Sequence, residues 1–152
     1  MHSTFFRIAL FAGLAASASA CLAQGDSGNS VEPVTVHATA HFVFDRSNVL
    51  PRDQKTLLAE VATMKDVTWK TVTTEGHADS VGKQDYNQAL SVQRAEAVRA
   101  FLVGKGLDPN MVHATGAGDA HPIASNATAA GRAKNRRTEV TFEGVRTVAS
   151  AR

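Results

Sequence analysis

The sequence predicts an α+β domain: a two-layer α/β sandwich in βαβαβ(α)β order, with a four-stranded mixed sheet and the two long helices on one face. Three observations predict it. Apolar and polar residues alternate with the two-residue period of a half-buried strand, most cleanly in VTVHATAHFVF (residues 34–44). Two longer stretches, beginning at Pro51 and Gln84, repeat their apolar residues at helical spacing instead. The strand-helix-strand order recurs, and each such crossover lays its strands parallel, with the helix packed on the sheet. The first three strands are therefore expected to neighbour one another in parallel pairs.

Ahead of these elements, MHSTFFRIALFAGLAASASA (residues 1–20) joins one cation, Arg7, to a long apolar run and a small-residue tail, the pattern of a secretory signal. The run is shorter than the roughly 20 residues a membrane span needs. Cys21, the only cysteine, excludes an internal disulfide. It follows Ala18-Ser19-Ala20, where a bacterial lipoprotein would be cleaved for acylation, although Ala18 stands where Leu is usual. Cleavage after Ala23 satisfies the small-x-small rule equally, and both alternatives stand. Residues 21–33, including the polar QGDSGNS, read as a flexible tether, residues 34–145 as the domain and residues 146–152 as a disordered tail.

In the first strand, Val34, Val36, Ala38, Ala40, Phe42 and Phe44 form the apolar face. Pro51 suits a first helical turn, after which Leu57, Leu58, Val61 and Ala62 recur until Lys65-Asp66. VTWKTVTTE (67–75) is rich in β-branched residues and reads as the second strand. The second helix runs from Gln84 to Val103 and is stopped by Gly104 and Gly106. MVHATGAG gives a short strand, Thr128 to Lys134 a short helix, and Thr138 to Phe142 a last strand.

The second helix carries an anomaly. Its apolar stripe, Tyr86, Leu90, Ala97, Val98, Phe101 and Leu102, encloses Asn87 and Arg94, two turns and roughly 10 Å apart. An unpaired guanidinium there would cost several kcal/mol, so Arg94 must reach water, a carboxylate or a ligand. Asp79, in the turn between Gly76 and Gly82, is the near carboxylate. Two readings follow: a structural Asp79–Arg94 ion pair, or a small zwitterion held between them.

Other chemistries find less support. Losing the leader removes one of 16 cations and none of 14 acids, which leaves a nearly neutral chain without the basic stripe of a nucleic-acid binder. His37 and His41 share a strand face and read as solvated, and no cysteine pair or His-Glu-x-x-His helix suggests a metal or other cofactor. Ser80 lies near His77 and Asp79 without a nucleophile elbow, so no enzyme is expected. His77 reads as orienting the turn by hydrogen bonding, and Trp69 and Tyr86 as core.

GHADSVGKQDYNQALSVQRAEAV (76–98), with FVFDRSNVLP before it and NATAAGRAKNRR after it, closely resembles the OmpA-like family of peptidoglycan-binding domains, which includes Pal lipoproteins and MotB stator proteins. The resemblance runs from about Thr39 to Phe142. It implies a noncatalytic anchor that joins the outer membrane or envelope to peptidoglycan through the diaminopimelate residue of the stem peptide. By the same resemblance Asp79 binds the ligand's free ammonium and Arg94 its carboxylate, while Asn87 and Arg136 line the pocket. The loop from Phe44 to Ser47 lies at the rim, with Asp45 and Ser47 as polar candidates. Arg136 would point inward and Arg137 to solvent. The expected location is the periplasmic face of the outer membrane, by lipid on Cys21, or the free periplasm. An envelope protein-interaction module with secondary wall binding is the alternative.

Overall fold

The computed structural model of the protein describes residues 30–63 and 65–148. The leader, both cleavage alternatives, Cys21 and residues 149–152 lie outside the described residues. The elements are β1 (Ser30–His41), α1 (Pro51–Thr63), β2 (Val67–Gly76), α2 (Gln84–Gly104), β3 (Val112–Gly116), α3 (Ala129–Asn135) and β4 (Arg137–Val148). β1 starts within the segment read as tether and β4 ends within the segment read as tail, because the two strands pair from Ser30–Val148 through to His41–Arg137.

The sheet order is β1-β4-β2-β3. β2 and β3 are parallel neighbours, as the crossover predicts. β1 and β2 are not neighbours, a correction to the sequence reading: β4 enters between them, antiparallel to both. A crossover fixes strand direction and handedness but not adjacency. β4 can fill the gap because its inward residues match both flanks: Phe142 lies opposite Val36 and Val72, and Val140 opposite Ala38 and Thr74.

These residues face Leu57 of α1 and Val98 and Leu102 of α2 in one core, so both long helices cover the same side. The approach of α2 is close. A Cβ on Gly76 would overlap the Ser91 carbonyl oxygen, and one on Gly116 would meet Val92 N at 2.6 Å. The strand ends therefore press against the middle of α2, where Ser91 and Ala95 are buried and Thr74 Oγ1 donates to the Ala95 carbonyl at 3.2 Å. α1 is tied to the end of β1 by Asp53, whose carboxylate accepts the His41 N–H at 3.1 Å.

Three burial expectations fail. Phe44 is 55% exposed, because the ladder ends at His41 and the chain turns at Asp45, which holds φ 55°. Tyr86 is 53% exposed: the close contacts to Ser91 and Ala95 rotate the buried stripe of α2 onto Asn87, Ser91, Arg94, Ala95, Val98 and Leu102. Arg137 is buried, with its guanidinium donating to Glu139 at 2.7 Å and to the His121 carbonyl at 3.3 Å, because the loop carrying His121 covers that end of the sheet.

Candidate ligand-binding site

The site forms where the turn after β2, the first half of α2, the loop after β1 and the end of α3 converge. The turn is fixed at its root: His77 N donates to the Arg137 carbonyl and Ala78 N to the Gly118 carbonyl, each at 2.7 Å. Asp79 Oδ1 accepts the Val81 N–H at 3.0 Å, a local turn closed by the carboxylate itself. Gly82, at φ 107°, lets the chain reverse into α2. Asn87 then holds the turn from the helix side, donating from Nδ2 to the Asp79 carbonyl at 3.1 Å and to Asp119 Oδ2 at 3.2 Å.

Arg94 is 0% exposed. Its guanidinium donates to the carbonyls of Arg46 (2.9 Å), His77 (2.9 Å) and Val43 (3.4 Å), and it lies over the Phe42 ring, 5.3 Å from the centroid. Three of its five N–H groups are thus engaged, and among the described residues no carboxylate pairs with it. Burial, and next the neighbouring Arg136, lower its pKa to about 10, against the opposing pull of Asp79 and Asp45. The group therefore remains a cation at neutral pH.

The structural ion pair considered from sequence is not made with Arg94. Asp79 pairs with Arg136 instead, Nη1 to Oδ2 at 2.9 Å, while Arg136 Nε donates to the Phe42 carbonyl at 3.1 Å. Arg136 is the residue after α3, where the chain leaves the helix for β4 and the side chain is largely buried. Asp79, Asn87, Arg94 and Arg136 line one small cavity of about 20 Å³, with Asp45 and Tyr86 at its edge; Ser47 is not among the lining residues. The Tyr86 hydroxyl donates to Asp45 Oδ1, which raises the phenol pKa.

Sequence reasoning missed four participants. Asp119 follows a Gly-rich turn that gave no hint of its reach to Asn87. The Val43 and Arg46 carbonyls carry no residue-type signal. Tyr86 falls on an apolar helical stripe, a pattern that points to the core and not to a cavity edge. His77 also departs from expectation: its backbone orients the turn, whereas neither ring nitrogen has a hydrogen-bond partner among the described residues.

Residues 41–136 match the OmpA family. The chain belongs to that family. This OmpA-like chain is 41% identical over 113 residues to an outer membrane protein A of Bordetella avium, which covers 74% of this chain and 58% of that protein. It is 38% identical over 96 residues to the peptidoglycan-binding protein ArfA of Mycobacterium bovis, covering 63% of this chain and 29% of that one. The chain thus spans less than two thirds of the length of these curated relatives. Among solved structures, the peptidoglycan-associated lipoprotein of Burkholderia pseudomallei superposes with a TM-score of 0.60 at 27% identity, covering 69% of this chain and 89% of that one. The OmpA-like fold positions the four candidate residues together. Among the described residues, no helix is long and apolar enough to cross a membrane and no cluster of His, Cys, Asp or Glu could hold a metal ion.

Proposed function

We propose that this OmpA-like domain binds peptidoglycan noncatalytically, through the free zwitterionic end of diaminopimelate in the stem peptide, and so anchors the envelope to the cell wall. The printed names of its relatives, a peptidoglycan-binding protein and a peptidoglycan-associated lipoprotein, support the coarser part of this reading. One observation carries the finer part: Arg94 is a fully buried cation without a carboxylate partner among the described residues, beside a cavity that also holds Asp79. A guanidinium with unused N–H groups accepts a carboxylate in a planar fork, and a carboxylate at the other side receives an ammonium.

A cavity of about 20 Å³ holds little more than a water molecule. Entry of an amino-acid end therefore requires the exposed side chains of Phe44, Asp45 and Tyr86 to swing aside and Asp79 to share its charge between Arg136 and the incoming ammonium. Envelope location follows from the same function, either at the periplasmic face of the outer membrane with lipid on Cys21 or free in the periplasm.

The test is co-sedimentation with purified sacculi, together with titration of diaminopimelate. Asp79→Asn keeps the shape and the Val81 contact but loses the charge, and it lowers affinity about 10- to 100-fold, the worth of one charged hydrogen bond. Acetylating the ligand's ammonium has the same effect on the wild type. Unchanged affinity in an Asp79→Asn protein of normal thermal stability would overturn the assignment.

A further inference from the structure

Arg136 stands where three concavities meet. The smallest, described above, contains the carboxylates Asp45 and Asp79. The second, a groove of about 350 Å³ between the end of β1 and α3, has Arg52, Lys134, Arg136 and His41 around an apolar floor that includes Phe42 and Leu50. The third, about 360 Å³, has Arg132 and Arg136 beside Phe44 and Val81. Neither of the larger two has an acidic residue in its lining. Charge is thus segregated around one shared arginine, with both signs on one side and only cations on the other two.

The two larger grooves differ in how their cations are used. The Arg132 guanidinium is committed to its own loop, donating to the carbonyls of Asn126 (2.8 Å) and Ala127 (3.3 Å). In the groove between β1 and α3, the Arg52 side chain is 72% exposed and its acidic contact is Asp53 at 3.6 Å, a carboxylate that also accepts the His41 N–H. Lys134 is exposed and has no partner among the described residues. An unpartnered lysine and an exposed arginine held by a single long ion pair, both over apolar side chains, suit an extended peptide that carries a carboxylate.

We infer that the ligand runs out of the small cavity past Arg136 and places a second carboxylate of the same peptide between Arg52 and Lys134. This rests on the reading proposed above and narrows its substrate class to stem peptides with a free carboxylate next to the diaminopimelate end. Amidated peptides are then the poorer ligands. Net attraction of this kind at an exposed site is weakened by salt.

The experiment is calorimetric titration of wild type, Arg52→Ala/Lys134→Ala and Asp79→Asn with three probes. These are alanyl-γ-glutamyl-diaminopimelate, the same peptide amidated at the glutamyl α-carboxyl, and the same peptide amidated at the diaminopimelate carboxyl beside the acylated nitrogen, away from the free ammonium. The double variant is expected to bind the parent peptide about two- to tenfold more weakly, as two exposed ion pairs allow, and to bind one of the two amides as wild type does. Equal losses for all three probes would mark a general field effect and overturn the inference, as would no loss for any. Co-sedimentation with phosphatidylglycerol vesicles is a fourth arm, and a loss in the double variant seen there but with none of the peptides would assign the groove to anionic lipid and overturn the inference as well. Asp79→Asn separates the layers: if it binds the parent peptide as wild type does, the cavity reading itself falls and the inference with it.

Discussion

The two halves of α2 bury the same stripe with opposite chemistry. Toward its C-terminus the stripe is Ala95, Val98 and Leu102, packed into the core formed with Val72, Val112 and Phe142. Toward its N-terminus it is Asn87, Ser91 and Arg94, each hydrogen-bonded to backbone or side-chain groups of neighbouring segments. The apolar half is stabilised by removal from water, at about 25 cal/mol per Å² of apolar surface. The polar half gains little from desolvation, so its carbonyl contacts mostly offset the cost of burying it. What remains at that end is a fixed cation with spare donors. One half holds the domain together, and the other half is positioned by it.

The largest effect that separates the halves is a cavity at Leu102, a residue with no exposure. Leu102→Ala should cost about 2–5 kcal/mol of unfolding free energy, measured by urea denaturation. Affinity for sacculi, measured well below the melting point, should not change. A variant that lost ligand affinity as steeply as stability would show that the two ends of α2 are not separable.

The division within α2 was legible as an anomaly, because a 3.6-residue period is visible in one segment and Asn87 and Arg94 break it. β1 was legible for the same local reason, as Val36, Ala38 and Ala40 are buried at alternate positions. The place of β4 was not, since strand order depends on matches among distant residues such as Val36, Phe142 and Val72, and no single segment records it. Nor was the partner of Asp79. Arg136 and Arg94 are both cations within reach of the turn, and only the three carbonyls that engage Arg94 leave the carboxylate to Arg136. The outward turn of Tyr86 followed from glycines on β2 and β3 that fix the rotation of α2, again a contact between distant segments.

A smaller effect should appear with pH at His77, which lies under the polar half and lends its carbonyl to Arg94. Burial, and next Arg137, lower its pKa below 6.5, against the opposing influence of Glu139 and Glu75, while the nearby His121 acts in the same direction as Arg137. The unfolded chain therefore binds the proton more readily than the folded one. This contribution to stability is complete above about pH 6.5, declines as pH falls through 6.5, and levels off below the lowered folded value. Urea midpoints taken from pH 7.5 downward should fall in the wild type, and that component of the slope should vanish in His77→Gln. Identical slopes in both proteins would remove His77 from the account, and with it the claim that this buried ring is held neutral.

The smallest effect is expected where the polar half meets solvent, at the contact between Tyr86 and Asp45. Tyr86 is more than half exposed, so Tyr86→Phe should change stability by no more than about 0.5 kcal/mol. Its consequence for binding has a definite sign. The phenol donates to a carboxylate at the edge of the cavity, and that contact must open before an amino-acid end can enter. Removing the hydroxyl leaves Asp45 as a second acceptor for the ammonium and removes one bond from the cost of opening. Affinity for diaminopimelate should therefore rise, by about two- to tenfold if the lost hydrogen bond has an ordinary net value. If affinity falls instead, Tyr86 is itself a ligand contact. The polar half of α2 would then bind through its exposed edge as well as through its buried cation, and the contrast between the two halves would have to be drawn one turn closer to the N-terminus.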